Sequence, residues 1–440
     1  MTEISRRRLL GASGIGAGAG LAAGIGGTYG VMGAAARGGE DSEGFSGKQT
    51  VPFYGAHQAG VETPPQAHAV FLSVELKDHV DAAAMRRWLR ILSDDAAALT
   101  QGRAPLADTE PDMTAQPASL TVTFGFGRKV VELAGADKVP AWLKPLPDYS
   151  IDRLRPELCG GDLLMQICSD DPLTLAHASR MLMKDSRAFS EIAWAKESFR
   201  RAYGTDPKGT TVRNPFGQVD GTVNPEIDTD DFAALVWGDP NAPARPGASD
   251  RKEVESPRGK APAGLNSAHP DWMAGGTTLV LRDIAMDLES WDLADEPARD
   301  FSVGRRMKDG SPLTGEHEHD IPDLEAVGSD GFKKISPASH VARSRNDKKP
   351  EEQIFRRVYS YQSLTKGPIR DDVEGVRQIN DAGLMFASYQ ADIERQYKPI
   401  QQRLAEGDLL NEWTFPIGST VWAIPPGASE GGYIGETLFG

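Results

Sequence analysis

Three polar clusters in the 440-residue chain carry residue types that can do chemistry. The first is Arg213-Asn214-Pro215-Phe216-Gly217-Gln218-Val219-Asp220-Gly221-Thr222-Val223-Asn224-Pro225. Its Gly-x-x-Asp-Gly core combines tight backbone turns with a carboxylate free to point into a cleft, although an Asp-Gly pair alone reads as a plain turn. The second is Ile335-Ser336-Pro337-Ala338-Ser339-His340-Val341-Ala342-Arg343, followed by Ile354-Phe355-Arg356-Arg357-Val358-Tyr359-Ser360-Tyr361. It brings one imidazole and two fixed positive charges into one neighbourhood. Neutral imidazole is a common iron ligand, and guanidinium stays charged when buried. The bland reading is a satisfied surface histidine beside solvated arginines on a strand edge. The third cluster, Glu316-His317-Glu318-His319-Asp320, is dense in metal ligands. Adjacent side chains on a loop seldom converge on one ion, so a solvated loop is the expectation there.

The elements that must position these groups follow from periodicity. His68–Leu76 is β-branched and aromatic, and Val80–Leu99 has apolar positions at helical spacing. Ser119–Gly127 alternates as a strand, Asp162–Cys168 reads as a buried strand, Pro172–Arg187 as a helix and Ile192–Tyr203 as a strand. That order, β-α-β-β-α-β, is a ferredoxin-like unit in an α+β fold. The pattern returns after a loop-rich centre. Thr277–Met286 is a strand, Asp295–Lys308 a helix, Val358–Leu364 and Gly383–Tyr389 strands, Ile393–Ala405 a helix and Thr420–Ile424 a strand. Gly238–Leu265 and Lys308–Lys334 are polar, rich in Pro, Gly, Asp and Glu, and read as surface loops. The implied organisation is an N-terminal half over 51–225 and a C-terminal half over 226–440.

Composition narrows the function. With 48 basic and 63 acidic residues the formal charge is −15, which argues against nucleic-acid partners. Two cysteines, Cys159 and Cys168, cannot build a disulfide framework or an iron–sulfur cluster, and both read as small core residues, as do Met181 and Met183. Any redox group must therefore come from outside the side chains.

Residues 1–36 read as an export signal. Ser5-Arg6-Arg7-Arg8-Leu9-Leu10 precedes a weakly apolar Gly/Ala run and Ala34-Ala35-Ala36. The pattern looks like a twin-arginine signal with a small-residue cleavage site, and residues 37–50 like a flexible leader. A retained membrane anchor is the rival, disfavoured by the glycines that interrupt the run. Removal of 1–36 leaves 45 basic and 62 acidic residues, a net charge of −17. The expected destination is the periplasm, the cell envelope or the exterior, with the twin-arginine translocation machinery as transient partner.

Taken together, the Gly-x-x-Asp-Gly core, the Ser-His-Val downstream, the Phe-Arg-Arg-x-Tyr-Ser-Tyr strand and the stretch Asn411-Glu412-Trp413-Thr414 to Pro425-Pro426-Gly427 resemble the dye-decolourising peroxidases. So does Phe53-Tyr54-Gly55-Ala56-His57-Gln58-Ala59-Gly60, in which His57 reads as structural or as part of an access loop. The resemblance runs in order from about Val51 to Gly440.

It implies one haem b per chain, two ferredoxin-like halves packed as a dimeric-α+β-barrel-type unit, and a haem held mainly by the second half. By position His340 is the proximal iron ligand, and Asp220 and Arg356 lie where hydrogen peroxide binds. Gly221, Thr222 and Phe386 are further cofactor contacts, Phe386 as a pocket wall. Arg356 and Arg357 alternate along a strand, so only one faces the pocket; Arg356 aligns with the family's arginine. Asp408, with Glu412 as the near alternative, would hold the other nitrogen of His340. The basic residue after the ligand, Arg343, sits one place later than in many relatives, which bears on the propionate contacts.

The implied activity is peroxide reduction through a ferryl state that then oxidises small aromatic or dye-like donors. Asp220 serves as base and then acid, and Arg356 stabilises charge on the departing oxygen. A carboxylate base with an ordinary pKa near ~3.9 implies an acidic activity optimum. Eight tryptophans and nine tyrosines offer surface relays for donors too large for a buried pocket. The rivals are an enzyme that releases iron from haem and a non-catalytic haem carrier or sensor. The oligomeric state is left open.

Overall fold

A computed structural model describes residues 46–202, 205–207, 210–246, 260–364 and 381–440. The export signal at 1–36 lies outside the described residues, as do most of the leader and part of the 238–265 loop.

Eight strands form one closed antiparallel barrel. They are β1 (His68–Leu76), β2 (Thr121–Phe126), β3 (Leu163–Ser169), β4 (Ser190–Phe199), β5 (Thr277–Met286), β6 (Phe355–Ser363), β7 (Asp381–Gln390) and β8 (Thr414–Ile424). Around the barrel the order is β1-β3-β2-β8-β5-β7-β6-β4. Each half contributes four strands in the same relative order, 4-1-3-2, as β4-β1-β3-β2 and β8-β5-β7-β6. The sheets meet at two short seams, Phe126 opposite Ala423 and Phe199 opposite Ser360. Both seams join the second strand of one half to the fourth of the other, so two ferredoxin-like halves close on each other into one barrel, and the strand edges away from these short seams stay unpaired by a neighbouring strand.

Period-two alternation sorts each strand onto two faces. One face fills the barrel with Phe71, Leu281, Tyr359, Met385, Tyr389 and Trp422 among others. The outer faces differ between the halves. In the N-terminal half, α1 (Ala82–Thr100) and α2 (Pro172–Ser186) lie against Val70, Leu72, Phe124 and Met165, and Met85, Trp88, Leu89 and Leu92 are buried in the same apolar cluster. Asp81 and Asp171 cap these helices by accepting from Ala84 N and Thr174 N. The C-terminal half leaves a cavity over its outer sheet face.

Shorter helices are the reason. The helix expected over Asp295–Lys308 is α3 (Glu296–Val303); Gly304, at φ 85°, ends it in the left-handed conformation and returns its N–H to Asp300 O. Next comes α4 (His340–Ser344), a five-residue turn capped by Ser339. The Ile393–Ala405 helix is a π-turn over Ile393–Tyr397 that continues as α5 (Lys398–Gly407). Strand limits also shift: β6 begins at Phe355 and β8 at Thr414, earlier than expected, and β4 ends at Phe199 rather than Tyr203. The two arginines thus lie within β6 instead of leading into it.

Candidate active site

The cavity lies between the outer sheet face of the C-terminal half and the helices that cover it. Its floor is the outer face of β5–β8, contributing Ile284, Met286, Leu384 and Phe386. Helices α4 and α5 cover it, with His340, Ile400 and Leu404 directed inward.

On the helix side, His340 is the first residue of α4. Its Nδ1 lies 2.6 Å from Asp408 Oδ2, which leaves Nε2 as the nitrogen available to the cavity. Asp408 follows α5 and caps the next turn, its Oδ1 accepting from Leu410 N at 3.0 Å, so both carboxylate oxygens are committed. Burial pulls the His340 pKa down, but the Asp408 carboxylate outweighs it and the net shift is upward. A carboxylate that favours a proton on the ring favours a metal ion there by the same attraction. Glu412, the other candidate partner, is exposed.

On the sheet side, Arg356 Nη1 donates to Asp220 Oδ1 at 2.9 Å, and both residues line the cavity. Alternation along β6 separates the two arginines, as the residue pattern requires. Arg357 points into the barrel, fully buried, and donates to Thr63 O and Gln66 Oε1. Asp220 sits on a loop whose conformation depends on glycine: Gly217 has φ 77° and Gly221 φ 125°. Its N–H bonds to Val212 O at 2.8 Å. The remaining positions differ in placement. Phe386 lines the cavity, whereas Gly221 and Thr222 do not, and the Thr222 hydroxyl donates to Glu318 Oε1 at 2.9 Å. That bond places the acidic loop 316–320 against the segment that carries Asp220. Within the loop, Asp320 accepts from the N–H groups of Glu316 and His317, and His319 is largely exposed.

One lining residue carried no sequence signal. Glu352 is almost completely buried, with Lys349 Nζ at 3.0 Å, Asn346 Nδ2 at 3.0 Å and Arg403 Nη1 at 2.5 Å. Burial alone would raise its pKa; the hydrogen bonds from these three groups dominate and hold it below the usual carboxylate range. Lys349 and Asn346 are close in sequence, but Arg403 is 51 residues away, so only the fold completes the group.

These features fit a haem. The cavity walls are mainly apolar, with a few polar groups converging on the interior. A single imidazole offers one nitrogen, backed by a carboxylate, as haem ligation requires.

Residues 58–200 match the N-terminal domain of the Dyp-type peroxidases, and residues 211–429 match the C-terminal domain. The chain belongs to the Dyp-type peroxidases. It is a haem-dependent oxidoreductase with this family's two-half fold. Among relatives, it is 33% identical over 399 residues to a dye-decolorizing peroxidase of Thermobifida fusca, covering 87% of this chain and 84% of that one. It is 31% identical over 404 residues to a protein of Escherichia coli K12 named deferrochelatase, covering 88% and 86%. The crystal structure of a DyP-type peroxidase from Cellulomonas bogoriensis superposes with a TM-score of 0.77 at 40% identity, covering 90% of this chain and 99% of that one. Ferric DtpA from Streptomyces lividans gives 0.76 at 34%, covering 89% and 98%.

Proposed function

We propose that this Dyp-type peroxidase reduces hydrogen peroxide and oxidises aromatic or dye-like donors, with His340 as the haem ligand and Asp220 and Arg356 as the catalytic pair. The observation that carries the reading is the Asp220–Arg356 ion pair in the same apolar cavity as the Asp408-backed imidazole. When bound, haem b supplies the redox chemistry of oxygen–oxygen cleavage. Asp220 accepts a proton from one peroxide oxygen and returns it to the other, which leaves as water. Arg356 stabilises the negative charge that develops on that departing oxygen. The low polarity of Leu384, Phe386 and Ile400 strengthens both interactions. A pure haem carrier would need His340 alone, and a largely buried ion pair is costly to maintain without a use.

Donors too large for the cavity have a route to its wall. Phe216 lines the cavity and stacks on Trp291 with ring centroids 4.4 Å apart, and Trp291 meets Trp413 edge-on at 5.0 Å. Trp291 is buried and Trp413 is partly exposed. We assign Trp413 as the surface end of an electron relay.

Relatives named deferrochelatase support a second reading, the release of iron from haem with the macrocycle kept intact. The two readings differ in product. Rapid mixing of the haem-loaded protein with one equivalent of peroxide, followed at the Soret band, tests the first; porphyrin fluorescence and chelated iron test the second. No fast spectral response to peroxide, together with released porphyrin, would reject the peroxidase reading. Export through residues 1–36 is likewise our proposal, and mass spectrometry of the mature N-terminus tests it.

A further inference from the structure

The Asp220–Arg356 pair has a third member. The side chain of Asn224 makes three hydrogen bonds to Arg356. Its Nδ2 donates to Arg356 O at 2.7 Å, and its Oδ1 accepts from Arg356 N at 3.1 Å and from Arg356 Nε at 3.2 Å. Two donors need the oxygen and one acceptor needs the amide NH₂, so the orientation of the Asn224 side chain is fixed by its partners.

Sheet topology explains why this position is open to an amide. Arg356 stands opposite Ser388 of β7, while β4 reaches β6 only at Ser360. With both its N–H and its C=O turned to Asn224, Arg356 lies on the uncovered edge of β6. The Asn224 amide supplies the donor and acceptor that a neighbouring strand would otherwise provide.

We propose that Asn224 is the positioning residue that aims the Arg356 guanidinium; the proposal rests on the catalytic reading of Asp220 and Arg356. Nε is held by Asn224 and Nη1 by Asp220, so the plane of the guanidinium is set at two points. Among the described residues Nη2 has no protein hydrogen bond, which leaves it for an anionic or peroxidic ligand in the cavity. The clamp and the carboxylate come from one short stretch. Asn224 N–H bonds to Gly221 O at 2.9 Å, closing a turn through Gly221 at φ 125° that delivers Asp220 and Asn224 to the same arginine. Without the clamp a flexible arginine would sample other rotamers and lose the alignment that transition-state stabilisation requires.

The test uses the haem-loaded protein with Asn224→Ala, Asn224→Leu, Arg356→Ala and the double variant Asn224→Ala/Arg356→Ala. Two quantities are read: the fluoride dissociation constant from absorbance titration and kcat/KM for peroxide. Haem stoichiometry and Tm are measured alongside. Both Asn224 variants should keep their haem and lose about tenfold in fluoride affinity and in kcat/KM, the scale of a lost hydrogen bond to a charged group. In the Arg356→Ala background, Asn224→Ala should cost nothing further, because Asn224 acts through that side chain. Leu matches the shape of Asn without its hydrogen bonds, so wild-type behaviour of Asn224→Leu would overturn the proposal. Equal losses with and without Arg356, or loss of haem in both Asn224 variants, would also overturn it. If fluoride affinity responds to Asn224 and Arg356 while peroxide kinetics respond to neither, the positioning role stands and the catalytic reading falls. If kinetics respond to Arg356 but nothing responds to Asn224, the reverse holds.

Discussion

Asp408 Oδ2 lies 2.6 Å from Nδ1 of His340, across 68 residues of sequence, and its other oxygen is held by the N–H of Leu410. The carboxylate is therefore fixed from behind and cannot rotate away from the imidazole. Asp408→Asn keeps the shape and removes the charge. Haem affinity should fall about 10–100-fold, the usual cost of losing such a partner. The iron reduction potential should rise, because less electron density reaches the metal. Spectroelectrochemistry checks this, and an unchanged potential would contradict the role. His340→Ala should lose haem altogether.

Asp220→Ala and Arg356→Ala should both retain haem and lose kcat/KM for peroxide. The proton-transfer role predicts a loss of about 10²–10⁴-fold for Asp220. The charge-stabilising role predicts about 10²–10³-fold for Arg356. Arg357→Lys serves as contrast: Arg357 is directed into the barrel, so its substitution should lower Tm more than kcat/KM.

Trp413→Phe and Trp291→Phe should impair oxidation of a bulky sulfonated dye while sparing a small phenol that reaches the cavity. The two substitutions should not add, since the rings act in series at 5.0 Å. Steady-state kinetics with both donors decide the matter, and parallel losses for both would point to simple damage to the fold.

Stability should respond to pH through two groups outside the site. Burial, followed by the neighbouring carboxyl of Asp95, pushes Asp185 up to about 7. The folded chain then holds a proton that the unfolded chain has released, so this group lowers stability as pH rises from ~4 to 7. His269 works in the opposite sense: burial drives it down to about 4, and its contribution is lost as pH falls below ~6.5. Asp185→Asn should therefore raise Tm at pH 7 more than at pH 4, and His269→Gln should help chiefly at acidic pH. Thermal melts across pH 4–8 check both signs, and parallel curves for variant and wild type would refute them.

Much of this protein was legible in its sequence. Strands β1 and β5 agree with their expected limits to the residue, since each is a run rich in β-branched, aromatic and aliphatic residues long enough for one strand. The order of elements implied two ferredoxin-like halves, and motif order implied the family. Alternation along a strand likewise required Arg356 and Arg357 to face opposite ways. What the linear chain could not hold was any relationship between distant segments. The choice of Asp408 over Glu412 depends on how α5 ends against α4. The contact of Glu352 with Arg403, 51 residues on, and the grip of Asn224 on an open strand edge arise only when distant segments meet. Even the cavity follows from tertiary comparison of the halves: long helices fill the outer face of one sheet, and short helices leave the other open. Local pattern sets which face a side chain takes, whereas hydrogen-bond partners and empty volume depend on where every other segment has come to rest.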